Sequence, residues 1–307
     1  MKYPISKEFF PYSHMVAPAN HPRIAGFLGS LMRPPRRLFC DREVRVVKES
    51  CTSFDGASVE LLVFDPYGIE EPAPCLLYFH GGGFVFGAAG HHYRMAKRYA
   101  LETPCKLIFV EYRLAPRHPH PCPSEDCYAA LLYAYENAAR LHIDPEKIAV
   151  GGDSAGGALA AAVCQMARDR GKKIPCFSLL VYPVTDRRMQ TASQINYTDT
   201  PMWNSRLNRK MWQCYTPKEP VENLAYASPM EASSFAALPP AYVESAEFDC
   251  LHNEALAYAA ALCDAGIEAE VYETKGTMHG YDTVEESPTA KAALMRRIAY
   301  MQKKFYG

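Results

Sequence analysis

The chain has almost no excess of charge of either sign and no long apolar segment. Its 307 residues include 33 basic and 34 acidic side chains, which gives a formal net charge of -1. This balance provides no electrostatic reason to expect a nucleic acid or an anionic membrane as a partner. No apolar run approaches the roughly 20 residues that cross a bilayer, and the first residues lack the apolar stretch of a secretory signal. We therefore expect a cytoplasmic protein with no membrane span.

The sequence also lacks the cysteine and histidine spacings of metal sites and disulfide frameworks. Its eleven cysteines are an odd number, and several fall in segments predicted as core, so we expect reduced, buried thiols. It has no H-E-x-x-H motif and no paired C-x-x-C, so no metal is expected and the pair His91-His92 is assigned to the solvated surface. The cysteines placed in the core are Cys75, Cys105, Cys164, Cys250 and Cys263.

Strand and helix patterns alternate along most of the chain. The stretches REVRVVKESC and SVELLVFDP are separated by a segment that contains Phe54-Asp55-Gly56, and its Asp-Gly predicts an antiparallel hairpin at one edge of a sheet. From CLLYFH onward, strands alternate with helices, a pattern that builds a parallel sheet covered on both faces. The predicted fold class is therefore α/β, with roughly eight mostly parallel strands flanked by helices.

Two segments fall outside this alternation. Residues 1–43 mix Pro, His and Arg with amphipathic pieces such as IAGFLGSLM, which predicts one or two helices outside the sheet. Residues 184–238 show no strand pattern, and a connection of that length in a compact domain is usually functional. We predict that both segments form a helical cap on a domain spanning residues 44–307.

One serine stands among four glycines in KIAVGGDSAGGALAAAV, between an apolar run and a row of alanines. Residues 152–156, GDSAG, match G-x-S-x-G between a predicted strand and a predicted helix, which is the setting of a nucleophile elbow. Such a turn holds the Ser154 hydroxyl clear of the sheet, and the start of the following helix favours developing negative charge. A phosphate-binding turn is the alternative, but no Gly-Lys-Ser/Thr or clean G-x-G-x-x-G follows.

A second glycine-rich motif, His80-Gly81-Gly82-Gly83-Phe84, follows the strand CLLYF. Acyl transfer creates an oxyanion that backbone N–H groups stabilise, and consecutive glycines leave room for its close approach. A His-Gly-Gly-Gly run after the third strand is typical of the oxyanion loop of lipases and esterases. A merely flexible glycine loop is the alternative, but two separate motifs at their expected places in the strand order favour the oxyanion loop.

A serine nucleophile requires a base, and the base requires an orienting carboxylate. In α/β-hydrolases the acid and the histidine follow the serine in that order, after late strands. Asp249 follows the predicted strand PPAYVESAE, and His279 follows IEAEVYE after a short loop. Both positions suit the order, and Glu247 and Glu254 are the nearby rivals of Asp249.

Four blocks of residues resemble the hormone-sensitive-lipase-like family of bacterial carboxylesterases. They are HGGGF, EYRLAPRHPHPCPSEDCYAAL, GDSAGG, and the stretch from LPPAYVESAEFDCL to GTMHGY, and the resemblance covers about residues 44 to 300. It implies an α/β-hydrolase fold that needs no cofactor. By this resemblance the nucleophile is Ser154, the base His279, its partner Asp249, the oxyanion donors Gly82, Gly83 and Ala155, and the brace of the glycine loop His80.

The sequence departs from the family pattern at two places. The block usually read Asp-Pro-Leu-Arg-Asp-Glu appears as DCLHNE at residues 249–254, which keeps the first acid and changes the second. We therefore expect the local support of Asp249 to differ. Tyr281 stands where the family usually has Phe, and we expect it to alter the polarity of the pocket.

The resulting hypothesis is a serine carboxylesterase that acts on short to medium acyl esters, with a small-molecule ester as its partner. A non-catalytic receptor on the same fold is the alternative from another class, although His279 favours an enzyme. A peptidase or amidase with the same triad stays open, as does a homodimer. The aromatics of the predicted cap either line an acyl pocket or form simple core; they are Trp203, Trp212 and Tyr215.

Overall fold

The computed structural model describes residues 2–17 and 41–307. Its strands are β1 (Val44–Thr52), β2 (Ser58–Pro66), β3 (Ala73–Phe79), β4 (Lys106–Glu111), β5 (Ile143–Asp153), β6 (Ser178–Val181), β7 (Ala241–Phe248) and β8 (Ala269–Met278). They form one eight-stranded sheet in the order β1-β2-β4-β3-β5-β6-β7-β8. Strand β2 pairs antiparallel with β1 and with β4, and every other pairing is parallel. The predicted α/β fold and its edge hairpin are confirmed.

Helices cover both faces of this sheet. One face packs against the alanine-rich α4 together with α2 and α8, and the other against α1 and α9. The C-terminal helix α9 was not predicted, although Ser287 caps its start and Pro288 occupies its first turn. The helices are α1 (Gly90–Glu102), α2 (Cys122–Glu136), α3 (Ala138–Leu141), α4 (Ala155–Asp169), α5 (Ala192–Asn196), α6 (Ser205–Tyr215), α7 (Leu224–Ala227), α8 (His252–Asp264) and α9 (Pro288–Tyr306).

The parallel pairing gathers four strand ends at one edge of the sheet. The glycine-rich motif follows β3, the serine follows β5, and the candidate acid and base follow β7 and β8. Because parallel strands point the same way, side chains just beyond their carboxyl ends can converge across large separations in sequence.

The two segments predicted as a cap differ in how much of them is described. Residues 184–238 hold α5, α6, α7 and a 3-10 turn at Pro229–Glu231, without a strand. Residues 2–17 include a 3-10 helix, Lys7–Tyr12, and Val16 makes an isolated bridge with Met202. The rest of the N-terminal prediction, including IAGFLGSLM, lies outside the described residues.

The ten cysteines among the described residues are all free, and four of the five placed in the core are buried. Cys263 is instead exposed, because it lies on the outer side of α8, so that assignment was wrong. In the described part of the chain, none of the helices combines the length and the apolar character that crossing a membrane requires.

Candidate active site

Ser154 occupies a strained turn between β5 and α4. Its backbone angles are φ 55° and ψ -117°, a region that side-chain-bearing residues rarely adopt. The turn fits only because its neighbours are small: a Cβ on Gly156 would lie 1.8 Å from the carbonyl oxygen of Phe79. The Ser154 N–H donates to the carbonyl oxygen of Val181 at 2.8 Å, which ties the turn to the end of β6. The predicted strand–turn–helix setting is therefore present.

A continuous row of hydrogen bonds joins Ser154, His279 and Asp249. The Ser154 Oγ lies 2.9 Å from His279 Nε2, and His279 Nδ1 lies 2.6 Å from Asp249 Oδ2. The other carboxylate oxygen of Asp249 accepts from the Leu251 N–H at 2.9 Å. With Nδ1–H donated to the carboxylate, Nε2 is left to accept from the serine hydroxyl. All three side chains are buried, and that of Asp249 is inaccessible to solvent.

The strand before His279 is longer than predicted. Strand β8 extends through the residues expected to form a short loop and ends at Met278, directly before the histidine. The pairing with β7 shifts register between Ala246 and Phe248, so that the two strands continue together to their ends. His279 therefore projects from the end of a strand.

The two rival acids bind other partners. Glu247 accepts from the Gly276 N–H at 2.7 Å. Glu254 is fully buried and accepts from the Thr185 N–H at 2.8 Å and from the Gln194 side chain at 3.0 Å. Burial raises the pKa of Glu254 to about 8. Neither acid is hydrogen-bonded to His279, so the geometry favours Asp249.

A second serine, histidine and carboxylate lie in a row where β7, β8 and the start of α8 meet. Ser245 Oγ lies 2.7 Å from His252 Nδ1, and His252 Nε2 lies 3.4 Å from Glu273 Oε2. Ser245 is inside β7 and has no exposed surface, whereas Ser154 stands at a turn beside a helix N-terminus. This row therefore supplies a control serine rather than a second nucleophile.

The glycine motif after β3 lies beside Ser154. Gly82 has φ 116°, and a Cβ there would lie 2.7 Å from the carbonyl oxygen of Phe86, so the loop requires glycine at this position. Among the described residues, none accepts a hydrogen bond from the N–H of Gly82, Gly83 or Ala155. Backbone donors without an internal acceptor next to a candidate nucleophile have the chemistry of an oxyanion site.

His80 is buried beneath this loop. Its Nδ1 lies 2.6 Å from the carbonyl oxygen of Gly81, and its ring stacks on Tyr112 with a centroid distance of 4.4 Å. The Tyr112 hydroxyl donates in turn to the His80 carbonyl oxygen at 2.6 Å. These contacts are what a brace of the glycine loop requires.

Asp153 links the two motifs, a role that the sequence analysis missed. One carboxylate oxygen accepts from the Gly81 N–H at 3.1 Å and from the Tyr78 hydroxyl at 2.6 Å. The other lies 3.3 Å from Nε2 of His92, whose Nδ1 accepts from the Ala89 N–H at 2.9 Å. Burial acts to raise the pKa of Asp153, but His92 and the Tyr78 hydroxyl outweigh it and hold that pKa below its usual value.

The assignment of His91 and His92 to a solvated surface was therefore wrong. His92 is 6 % exposed, because it lies on the inner side of α1, where its Nε2 contacts the carboxylate of Asp153. The His91 ring lies 3.9 Å from the His92 ring. Burial, together with this neighbour, lowers the pKa of His91 to about 3.

The aromatics of residues 184–238 divide between two environments. A Cβ on Gly83 would lie 2.9 Å from Trp203 Cη2, and the Trp203 ring lies 6.2 Å from that of His279. The other two, Trp212 and Tyr215, pack on Phe84, with a stacked contact of 3.8 Å between the Phe84 and Tyr215 rings. Trp203 therefore borders the site, and the other two form core beside it.

Tyr281 does not line the pocket, contrary to expectation. It is fully buried, and its hydroxyl donates to Glu244 Oε1 at 2.5 Å. Glu244 also pairs with Arg297 of α9, whose Nη1 lies 2.7 Å from Asp282 Oδ2. We call Glu244, Asp282 and Arg297 the buried ion cluster. It holds two carboxylates and one guanidinium away from water.

Replacing Arg297 by methionine is expected to lower the free energy of unfolding by about 3–5 kcal/mol, because two buried carboxylates lose their cation. The adjacent Arg296 is exposed and lies over the Tyr272 ring, so Arg296→Met should cost less than about 1 kcal/mol. Urea unfolding followed by far-UV circular dichroism measures both variants. Equal losses would show that the cluster contributes no special stability.

Most of the chain matches known proteins. Residues 76–283 match the family model described as an α/β hydrolase fold. Carboxylesterase NlhH of Mycobacterium tuberculosis is 32% identical over 284 residues, which cover 91% of this chain and 88% of that protein. Ethyl acetate hydrolase of Pseudomonas putida is 32% identical over 237 residues, covering 76% of this chain and 74% of the hydrolase. A solved bacterial heroin esterase superimposes with a TM-score of 0.91 at 32% identity, and all of each chain is covered.

The family match extends over more than half of the chain and includes both the glycine-rich motif and the candidate triad. The relatives agree with it over most of their own lengths. The chain therefore belongs to the α/β-hydrolase fold family, in its hormone-sensitive-lipase-like group of carboxylesterases.

Proposed function

We propose that this protein is a serine carboxylesterase that hydrolyses short to medium acyl esters through an acyl-enzyme intermediate. The observation that carries the proposal is the unbroken row from Ser154 Oγ through His279 to Asp249, with contacts of 2.9 Å and 2.6 Å. Its relatives include an ethyl acetate hydrolase and a carboxylesterase, which supports an ester as the substrate.

The first half-reaction acylates the serine. His279 Nε2 takes the proton of the Ser154 hydroxyl as Oγ bonds to the ester carbonyl carbon. The bond from that carbon to the alkoxy oxygen then breaks, and Nε2 gives the proton to the departing alcohol. Asp249 accepts from Nδ1–H throughout, which fixes the tautomer and stabilises the imidazolium. Water repeats the sequence in the second half-reaction and releases the acid.

The carbonyl oxygen becomes negatively charged in both half-reactions. In the proposal this oxygen accepts hydrogen bonds from the N–H groups of Gly82, Gly83 and Ala155. Ala155 begins α4, so the positive end of the helix dipole adds to this stabilisation. The hydrogen bond from the Gly81 N–H to Asp153 supports the proposal, since it ties the donor loop to the turn that carries the nucleophile.

Residues 184–238 act as the cap of this site in our proposal. The support is local: the Trp203 indole lies against Gly83 and beside the His279 ring. Its Nε1–H donates to Asn208 Oδ1 at 3.2 Å, which holds the indole against α6. A wall so close to the reacting groups limits the space for the substrate, and this favours short to medium acyl chains.

Hydrolysis of p-nitrophenyl esters from acetate to decanoate, set against an aminoacyl p-nitroanilide, tests the proposal. We expect kcat/KM to be greatest at the short to medium esters and the anilide to be cleaved far more slowly. Activity should survive exhaustive dialysis against EDTA, because no step uses a metal ion. Preference for the anilide would indicate an amidase, and binding of the esters without turnover would indicate a receptor.

A further inference from the structure

The loop that carries His279 is tied down immediately after the histidine. Two residues on, the Tyr281 hydroxyl donates to Glu244 Oε1 at 2.5 Å. Three residues on, Asp282 Oδ2 accepts from Arg297 Nη1 at 2.7 Å. Both ties end in the buried ion cluster, so the loop has two fixed points within one turn of the candidate base.

The groups that hold these ties are themselves rigid. Arg297 donates from Nε to Glu244 Oε2 at 2.8 Å, and a second contact joins its Nη2 to Oε1. This two-point pairing fixes the plane of both side chains. Glu244 lies in β7 and Arg297 in α9, and both are buried. The His279 loop is thus anchored both to the central sheet and to the C-terminal helix.

A third tie reaches the imidazole ring itself. The ring of Tyr182 meets the His279 ring edge to face at a centroid distance of 4.8 Å. The Tyr182 hydroxyl donates to Asp282 Oδ1 at 2.5 Å, and the backbone N–H of Tyr182 donates to the Glu244 carbonyl oxygen at 2.8 Å. Asp249 holds one nitrogen of the imidazole, and Tyr182 holds the side of the ring.

We infer that Tyr182 and Tyr281 are positioning residues for His279, acting through the buried ion cluster. The inference rests on the proposed role of His279 as the base. A displacement of about 1 Å in a reacting group can cost on the order of 100-fold in rate, so loosening these ties should slow the chemical steps. It should leave substrate binding nearly unchanged, because neither hydroxyl faces the site.

The chain offers a matched control in Tyr242. Its hydroxyl donates to Glu244 Oε2 at 3.0 Å, so it belongs to the same cluster. It lies within β7 and its ring packs on Tyr300, away from the His279 loop. Removing this hydroxyl disturbs the cluster without touching the loop.

The test compares Tyr182→Phe, Tyr281→Phe and Tyr242→Phe in the full chain, with p-nitrophenyl butyrate as substrate. We expect kcat to fall about tenfold in each of the first two, with KM within about twofold of wild type, in keeping with a modest misplacement of the base. Tyr242→Phe should keep kcat within about twofold, although all three variants lose a similar amount of thermal stability. The rate of inactivation by diethyl p-nitrophenyl phosphate should follow kcat, since it requires the same serine and histidine.

Unchanged kcat and inactivation rate in both Tyr182→Phe and Tyr281→Phe would overturn the inference, as would an equal fall in Tyr242→Phe. A fall in only one of these two variants would remove the positioning role from the other tyrosine. Ser154→Ala, assayed in parallel, distinguishes failure of the proposed function from failure of the positioning role. Activity retained in Ser154→Ala would refute the proposed function, whereas an inactive Ser154→Ala with unaffected tyrosine variants would refute the positioning role alone.

Discussion

Replacement of Ser154 by alanine is expected to lower kcat on the order of 10⁶-fold, the scale reached when the serine of such a triad is removed. Only the oxygen that lies 2.9 Å from His279 Nε2 is lost. The folded state should persist, because alanine keeps the Cβ that the turn already accommodates, and the N–H that donates to Val181 is unchanged. Steady-state kinetics with p-nitrophenyl butyrate and a thermal melt measure both effects.

Ser245→Ala is the matched control for this substitution. Like Ser154, Ser245 is buried and contacts a histidine nitrogen, here at 2.7 Å. Removing the Ser245 hydroxyl therefore removes a similar hydrogen bond. We expect little change in kcat. Near wild-type activity in Ser154→Ala, or a comparable collapse in Ser245→Ala with the fold intact, would be incompatible with Ser154 as the nucleophile.

Replacement of Asp249 by asparagine is expected to lower kcat on the order of 10⁴-fold, as in other triads whose acid is neutralised. Asparagine retains the shape of the side chain and can still accept from the Leu251 N–H. Its amide nitrogen cannot accept from His279 Nδ1–H, so the imidazole is free to take the tautomer that cannot deprotonate the serine. Stopped-flow or steady-state kinetics at fixed pH measures the loss.

Glu247→Gln and Glu254→Gln are the controls for the choice of acid. Glu247 accepts from the Gly276 N–H. Glu254 accepts from the N–H groups of Thr185 and Asp186, in the segment that follows β6. With a pKa raised by burial to about 8, the Glu254 carboxyl is mostly protonated near pH 7, so glutamine reproduces its neutral form. Should Glu254→Gln reduce kcat more than Asp249→Asn in folded protein, Asp249 is the wrong acid.

The candidate triad could be predicted because each member lies in a local sequence pattern that can be recognised without the structure. GDSAG lies between a strand and a helix, HGGGF closes a strand, and the acid and base follow late strands in a fixed order. Parallel pairing then makes these ends converge, so no knowledge of side-chain packing was needed. The structure brings the side chains of Ser154, His279 and Asp249 into one row of hydrogen bonds.

The supporting contacts could not be predicted in the same way. The pairing of Glu244 with Arg297 joins residues 53 positions apart on different elements, and no local pattern marks them as partners. His92 gave a better signal, because His92, Ala96 and Tyr99 repeat at helical spacing along the buried side of α1. The absence of a metal-binding motif beside the two adjacent histidines does not distinguish a surface position from this buried one.

The C-terminal helix α9 also carries a local signal in the sequence. Leu294, Ile298 and Met301 recur at helical spacing after a Ser-Pro start, which is a sufficient signal for α9. The sequence does not show that Arg297 on this helix is buried. Arginine is rarely buried unless it is paired, and the partner of Arg297 lies on another element of the fold.

Labelling with diethyl p-nitrophenyl phosphate, followed by peptide mass spectrometry, tests the assignment of the nucleophile most directly. We predict that one p-nitrophenol is released per protein molecule, that one diethylphosphoryl group is found on the peptide containing Ser154, and that esterase activity is lost in proportion. The label should be absent from Ser154→Ala and should form far more slowly in His279→Ala. An adduct on Ser245 or on any other residue, or full ester hydrolysis by protein already labelled at Ser154, would contradict the account.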